Sequence, residues 1–440
     1  MATHTRRDFL ISSGAIAAAS AVGATGSAFA ADKPDMGFKI ESGAKLSVLR
    51  WTQFVSAEEK RWMENTKKFT ELTGVEVQMD RAGFEDIRPK AAVAARIGAG
   101  PDIILGWFDD PHRYPDKLVD VSEVANNLAK KYGGWYDVCK TYGMSGDKWI
   151  GLPIAVIGNE MVYRKSHVQA AGFDTFPTDF PGFLKLCQAL SAKGTPPGFP
   201  LGHSVLDGNG WTYWILWGHG GKVADEKGNV VLDSPETVAA LEFVQQLYKT
   251  FPPGTLSWLD PSNNTAFFDE KVSLINNGIS VYFAALNSTD PKRHAMAEDI
   301  FHAHLPIGPV GKPTELQGIT QMMLFDYTKY PNAAKAYMQF MMEADQYNAW
   351  LHDSLGYVGQ TLKAYEKNPI WTSDPKITVY RDVASRMLPD GYAGPLGTAS
   401  AAVMADYIVI DMFASAASGE QTPKQAAAAA AKRAQRYYKA

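Results

Sequence analysis

Cysteine is almost missing: Cys139 and Cys187 are the only two among 440 residues. That excludes a disulfide-stapled scaffold and a thiolate metal cluster. Excess charge is equally scarce, since 43 Lys and Arg against 47 Asp and Glu leave a formal −4. No basic surface is therefore on offer to nucleic acid or to an anionic membrane. His-Glu-x-x-His, Cys-x-x-Cys and phosphate-cradling glycine loops do not occur. His302-Ala303-His304 has no third ligand in view, so neither metal nor cofactor is expected. Gly202-His203-Ser204-Val205-Leu206 starts like a nucleophile elbow but lacks the closing glycine. Beyond the amino terminus no run reads as a membrane span.

What is present begins with an address. Thr5-Arg6-Arg7-Asp8-Phe9-Leu10 is a twin-arginine stretch, followed by a weakly apolar run to Gly26 and by Ser27-Ala28-Phe29-Ala30, an Ala-x-Ala cleavage site. Residues 1–30 read as a twin-arginine signal peptide cut after about Ala30, and no Cys follows to carry a lipid. The remainder is expected free in a periplasm. Twin-arginine export carries folded chains, so Cys139 and Cys187, although able to pair outside, are expected as buried free thiols.

The rest is too long for one ordinary core and suits two lobes. Lys45 to Trp51 reads as a strand. Ser56-Ala57-Glu58-Glu59 has the form of a capping box opening a helix with Trp62, Thr66, Phe69 and Leu72 on one face and Gly74 as its stop. A strand at 75–79, a helix at 87–97 and a strand at 102–105 repeat the rhythm of a parallel, doubly wound sheet, so the fold class is α/β. Ligands of such sheets sit beyond the carboxyl ends of the strands. The residues there are Trp51 with Gln53, Arg81, and Trp107 with Asp109 and Asp110. Further on, 161–163 reads as a strand, Thr178 as a helix cap, 222–233 as a hairpin, and Ser234-Pro235 and Thr422-Pro423 as helix starts.

Seven segments taken together resemble one family: "KLSVLRW", "GAGPDIILGWFDD", "WIGLPIAVIGNEMVYRK", "AAGFDTFPTDFPGFLKLCQAL", "GKVADEKGNVVLDSPETVAALEFVQQL", "AFFDEKVSLINNG" and "ASGEQTPKQAAAAAAKRAQ". They resemble the extracellular solute-binding proteins of ABC importers, in the sugar-binding group that includes maltose-binding protein. The resemblance implies a type II, two-lobed periplasmic binding protein, each lobe a sheet flanked by helices and the two joined by a hinge of several crossovers. Lobe 1 is expected from 31–153 plus 326–362 and lobe 2 from 154–325 plus 363–440. It also implies a monomer that catalyses nothing, binds a small carbohydrate and hands it to a membrane permease. The chain departs from the family pattern at Gly278-Ile279-Ser280, where an aromatic commonly stacks on sugar; Tyr282 or Phe283 is the replacement.

Sugar rings offer apolar C–H faces and polar edges, so their sites combine flat aromatics with Asp, Asn, Gln or Arg. Trp51, Gln53, Trp107, Asp109 and Asp110 fit that chemistry, although a turn Asp also serves as a helix cap. In "WTYWILWGHGG" the residues Trp211, Trp214 and Trp217 step by about −60° on a helical wheel and cannot face one way. Trp211 is expected as a ligand platform, Trp214 and Trp217 as lobe core. Asn159, Glu160 and Tyr392 complete the set near the inferred crossover and mouth. If that stretch were helical, Glu160 would instead pair with Arg164 at i+4. Arg81 suits an anionic ligand, and Asp109, Asp110 and Glu160 a cationic one, so a polyol, a phosphorylated polyol or a polyamine remains the alternative guest. A secreted glycosidase is the other class, but no acid–base carboxylate pair stands out.

Overall fold

The run KLSVLRW folds as β1, Lys45–Trp51, because its aliphatic and aromatic residues suit a buried pleated surface. It is the first strand of a computed structural model that describes residues 37–52 and 55–438. The signal-peptide reading, 1–30, lies outside the described residues. β2 (Glu76–Ala82) and β3 (Ile103–Trp107) flank β1 and run parallel to it. Parallel neighbours require crossovers, which helices Ser56–Thr73 and Ile87–Ile97 supply. The first helix buries Trp62, Thr66 and Phe69, but its inner face continues to Thr73. Leu72 is exposed instead, because it lies about 80° round the wheel from Trp62. Gly74 ends the helix at φ 76, a left-handed value that glycine adopts without penalty.

β4 (Met144–Ser145) and β5 (Lys148–Trp149) form a short ribbon ahead of β6 (Leu152–Ile157). The chain then enters a second, antiparallel sheet of β7 (Glu160–Arg164), β8 (Leu274–Asn277) and β9 (Ile300–Ala303), with β7 in the middle. β10 (Gly318–Leu324) returns to the first sheet, antiparallel to both β3 and β6, and gives the order β2-β1-β3-β10-β6. The first sheet is therefore mixed, and β10 with residues 154–157 of β6 falls inside the stretch 154–325 that was expected wholly in lobe 2. Pro153 resembles a breaker but sits within β6 opposite Gln321, beside the register shift at Thr320/Gln321. The third crossover is also later than 363: Lys363 and Ala364 still donate to Gly134 O and Tyr132 O of lobe 1. By Lys376 the chain is bonded to lobe 2 through Ala297 O and Glu298 O.

Helix Asp207–Gly218 is buried at every position and forms the centre of lobe 2. An all-round buried helix needs partners on all sides, and Phe180, Phe183, Phe199, Phe251 and Phe413 supply them. Ser234 caps helix Pro235–Tyr248 through the Thr237 N–H, and Asp179 rather than Thr178 caps Phe180–Ala192. The expected hairpin at 222–233 is only a turn with one bridge, Ala224↔Val230, because the Asp225 carboxylate collects the N–H groups of Lys227 and Asn229. Residues 398–418 are long and apolar enough, by composition, to cross a membrane. They break into two helices at Tyr407, φ 53, and pack on lobe 2. Cys139 and Cys187 are both buried and unbonded.

Candidate ligand site between the lobes

At the carboxyl ends of β1 and β3 the rings of Trp51 and Trp107 meet at 4.4 Å and 53°. Phe84, two residues past β2, adds a third ring 4.1 Å from Trp107. All three are buried. Trp51 is braced from behind. The Arg50 guanidinium lies 5.0 Å from the centroids of Trp51 and Trp62 and donates to both oxygens of Glu58 at 3.0 Å, while the Trp350 indole N–H donates to Glu58 Oε1 at 2.6 Å. Burial pushes the Glu58 carboxyl up and Arg50 pulls it back. This wall is apolar and aromatic, the chemistry that a sugar's C–H face requires.

Lobe 2 opposes it with a polar floor. Asp260 receives the N–H groups of Val205, Leu206 and Asp207 at 2.7, 3.0 and 2.8 Å, the orphan donors at the start of the tryptophan helix. Asp207 is held by the side-chain amides of Asn263 at 2.7 Å and Asn277 at 3.0 Å. Asn277 ends β8 and also donates to Asn263 Oδ1 at 2.9 Å and to Asn264 Oδ1. Burial, reinforced by the nearby Asp260 charge, holds Asp207 well above the usual carboxylate range. Between wall and floor a cavity of about 20 Å³ is lined by Phe84, Asp207, Asn264, Asn277, Ser280 and, from lobe 1, Tyr357. The Tyr357 hydroxyl faces the Trp51 indole, which joins the cavity to the tryptophan pair.

Beside the wall lies an acidic group. Asp110 Oδ2 accepts the Trp107 N–H at 2.8 Å and Oδ1 pairs with the buried Arg88 guanidinium at 2.8 Å. Asp109 Oδ2 accepts from Ser400 Oγ of lobe 2 at 3.2 Å, so the lobes touch here. Tyr392 packs edge-on against Trp217, 5.6 Å away, two residues from Asp390.

Other expected site residues stand elsewhere. Trp211 is lobe core, not a platform: its N–H donates to Pro200 O at 2.7 Å and its ring is enclosed by Phe199, Phe251 and Phe413. Trp214 is core too, while Trp217 is the one whose indole reaches the acidic side. Arg81 is exposed on the edge strand and pairs with Glu59. Tyr282 turns away from the cavity to donate to Asp374 at 2.6 Å, and Ser280 takes the cavity position. Asn159 and Glu160 belong to the hinge. The Asn159 amide bonds Asn276 at 3.0 Å, and its backbone N–H reaches Gln317 on the second crossover. Glu160, in β7 and not in a helix, lies 3.6 Å from His304; burial and then the Glu315 charge push it up to about 7. Arg164 pairs with Asp299 instead. Gln53 lies outside the described residues.

Sequence reasoning missed Phe84, Arg88, Asp207, Asn277, Asp390 and Ser400. Phe84 follows the turn already singled out after β2, and Asn277 precedes the Gly278 at which the family pattern breaks. Asp207 and Asn277 meet across 70 positions, which no local pattern signals.

The model for bacterial extracellular solute-binding proteins matches residues 64–379. The chain belongs to that family. It is 21% identical over 336 residues to the putative ABC transporter periplasmic-binding protein YcjN of Escherichia coli K12, covering 72% of this chain and 73% of that one. Maltose-bound MalE3 of T. maritima superposes with a TM-score of 0.77 at 19% identity, over 89% of this chain and 99% of that one. A sugar transporter from Arthrobacter chlorophenolicus A6 with bound laminaribiose gives 0.76 at 17%, over 89% and 99%. This extracellular solute-binding protein thus has the type II, two-lobed fold of those structures.

Proposed function

We propose that the protein captures a sugar between its lobes and delivers it, unchanged, to the permease of an ABC importer. The observation that carries this reading is the pairing of wall and floor: Phe84, which packs on Trp107 and through it on Trp51, lines the interlobe cavity opposite a layer of Asn, Asp and Ser. Aromatic faces match pyranose C–H faces, and uncharged amides beside carboxylates match hydroxyls. The sugars named for the similar structures point the same way. A guest first held by one lobe gains contacts from the other only on closure, and that difference shifts the population to the closed form a permease recognises. In this reading the ligand-binding set is Trp51, Trp107, Asp109, Asp110 and Tyr392, with Phe84, Asp207, Asn277 and Tyr357 added. Gln53, outside the described residues, is kept in the set from its sequence position after β1, while Arg81, Asn159, Glu160, Trp211 and Tyr282 act outside the cleft. The protein works as a monomer, exported through the twin-arginine route and cut near Ala30.

A thermal-shift screen of neutral sugars, polyols and polyamines tests it. A neutral sugar that raises the melting temperature and is recovered intact supports the reading. Stabilisation by polyamines alone replaces the guest, and turnover of a sugar replaces the function.

A further inference from the structure

We propose that Asp109 and Asp390 form a proton-bridged clasp between the lobes, so that closing the cleft takes up a proton. The inference rests on the hinge-closure reading above and concerns how that closure is regulated. Asp109 sits just past β3 in lobe 1. Asp390 lies beyond the third crossover, on the segment that leads through Tyr392 to helix Thr398–Ala405 of lobe 2. Both are buried, at 0% and 2% exposure, and their carboxyl groups are within hydrogen-bonding reach of each other. No side-chain N–H or O–H of a neighbouring residue satisfies Asp390 or Asp109 Oδ1, the Gly391 N–H being the backbone donor beside Asp390, and Ser400 serves only Asp109 Oδ2.

The surroundings supply no second cation. Arg88 is the one guanidinium facing the pair, and it is ion-paired with Asp110 at 2.8 Å. The other titratable groups around the pair are phenols: Tyr142, whose hydroxyl accepts the Asp390 N–H at 2.9 Å, Tyr213 from the tryptophan helix, and Tyr438 from the last helix. Burial raises all three, so they stay neutral. Two ionised carboxylates facing each other out of water repel; one proton between them turns the repulsion into an O–H···O bond. Burial accordingly pushes Asp109 up to about 6 and Asp390 well above the carboxylate range, the latter helped by the Asp109 charge.

When the lobes part, both carboxyls meet water and return to about 4. The closed form thus holds a proton that the open form has released. Closure is favoured at low pH and loses that support as pH rises through the closed-form values. One proton taken up changes the closed-to-open ratio by about tenfold per pH unit.

Small-angle X-ray scattering of the ligand-free protein at pH 5.5 and pH 8 tests the clasp. The wild type is expected to be more compact at pH 5.5. Asp390→Asn, whose amide donates the bridging hydrogen at any pH, is expected to be equally compact at both. A wild type with one radius of gyration at both pH values, or a folded Asp390→Asn that follows the wild-type pH dependence, overturns the proposal. Infrared spectra of the wild type give a check that needs no variant: the compact form must show a protonated-carboxyl band at pH 7, and its absence refutes the clasp. No ligand is used, so a failure to bind sugar leaves this result intact and a failed clasp leaves the sugar reading standing.

Discussion

Asn277→Asp exchanges a donor for an acceptor at the centre of the lobe 2 floor. The native amide gives hydrogen bonds to Asp207 Oδ2 and Asn263 Oδ1, both shielded from water, and to the half-buried Asn264 Oδ1. The new carboxylate gives none, and it stands against the Asp207 carboxylate about where the amide nitrogen was, 3.0 Å away. Each buried group left without its partner costs about 1–3 kcal/mol. A proton shared by the two carboxyls recovers part of this. The expected loss is about 3–5 kcal/mol at pH 8. Protonation is the relief, so the new pair has a raised pKa and its penalty grows as pH rises. At pH 5 the loss is expected to be smaller by about 1.4 kcal/mol for each unit by which the pair's pKa exceeds 5. Urea unfolding of wild type and variant at both pH values reads this directly, and calorimetry with a sugar found in the screen is expected to show at least about tenfold weaker binding, one lost hydrogen bond's worth. A variant as stable as wild type at pH 8, or one destabilised equally at pH 5 and pH 8, would refute the account of the floor.

Trp211→Ala is expected to destabilise lobe 2 by about 3–5 kcal/mol in urea unfolding without a selective loss of ligand affinity, whereas Trp107→Ala weakens binding measured by calorimetry. Glu58→Gln leaves the buried Arg50 charge uncompensated; about 3–5 kcal/mol should be lost in urea unfolding, and Trp51 should shift in fluorescence as its brace loosens. At the hinge, Glu160 and His304 are both raised, His304 first by its hydrogen bond to Glu160. Their stabilisation is full at low pH and lost as pH rises through the raised values, so the urea midpoint of wild type should fall from pH 6 to pH 8.5 more than that of His304→Asn. Cys139 and Cys187 should resist alkylation in the native protein and take up two equivalents of reagent in urea.

Local pattern revealed the strands and helices whose signals are local. Lys45–Trp51 is an apolar run, Ile87–Ile97 carries one-sided apolar spacing, Gly74 marks a helix end through left-handed backbone that few residues adopt, and Ser234 marks a start through its side-chain cap. The strand-end rule named Trp51 and Trp107, whose rings the structure brings together at the ends of β1 and β3. The lobe boundary expected at 153 falls inside β6, which pairs with β10 in the first sheet, a long-range pairing that no local pattern announces. Trp211 was misread because a helix buried on every side has no wheel position that marks the cleft. The polar floor was invisible because its members, Asp207 with Asn263 and Asn277, are far apart in sequence and meet only in three dimensions, as does Ser400 with Asp109 beside the wall.

The central claim is that the guest lies between the indole wall and the asparagine floor. A crystal structure of the protein with a stabilising sugar from the screen decides it most directly. The account predicts a sugar ring against Trp51, Trp107 or Phe84 with a hydroxyl bonded to Asn277 or Asp207. A sugar bound anywhere else, with those side chains packed as they are here, would contradict it.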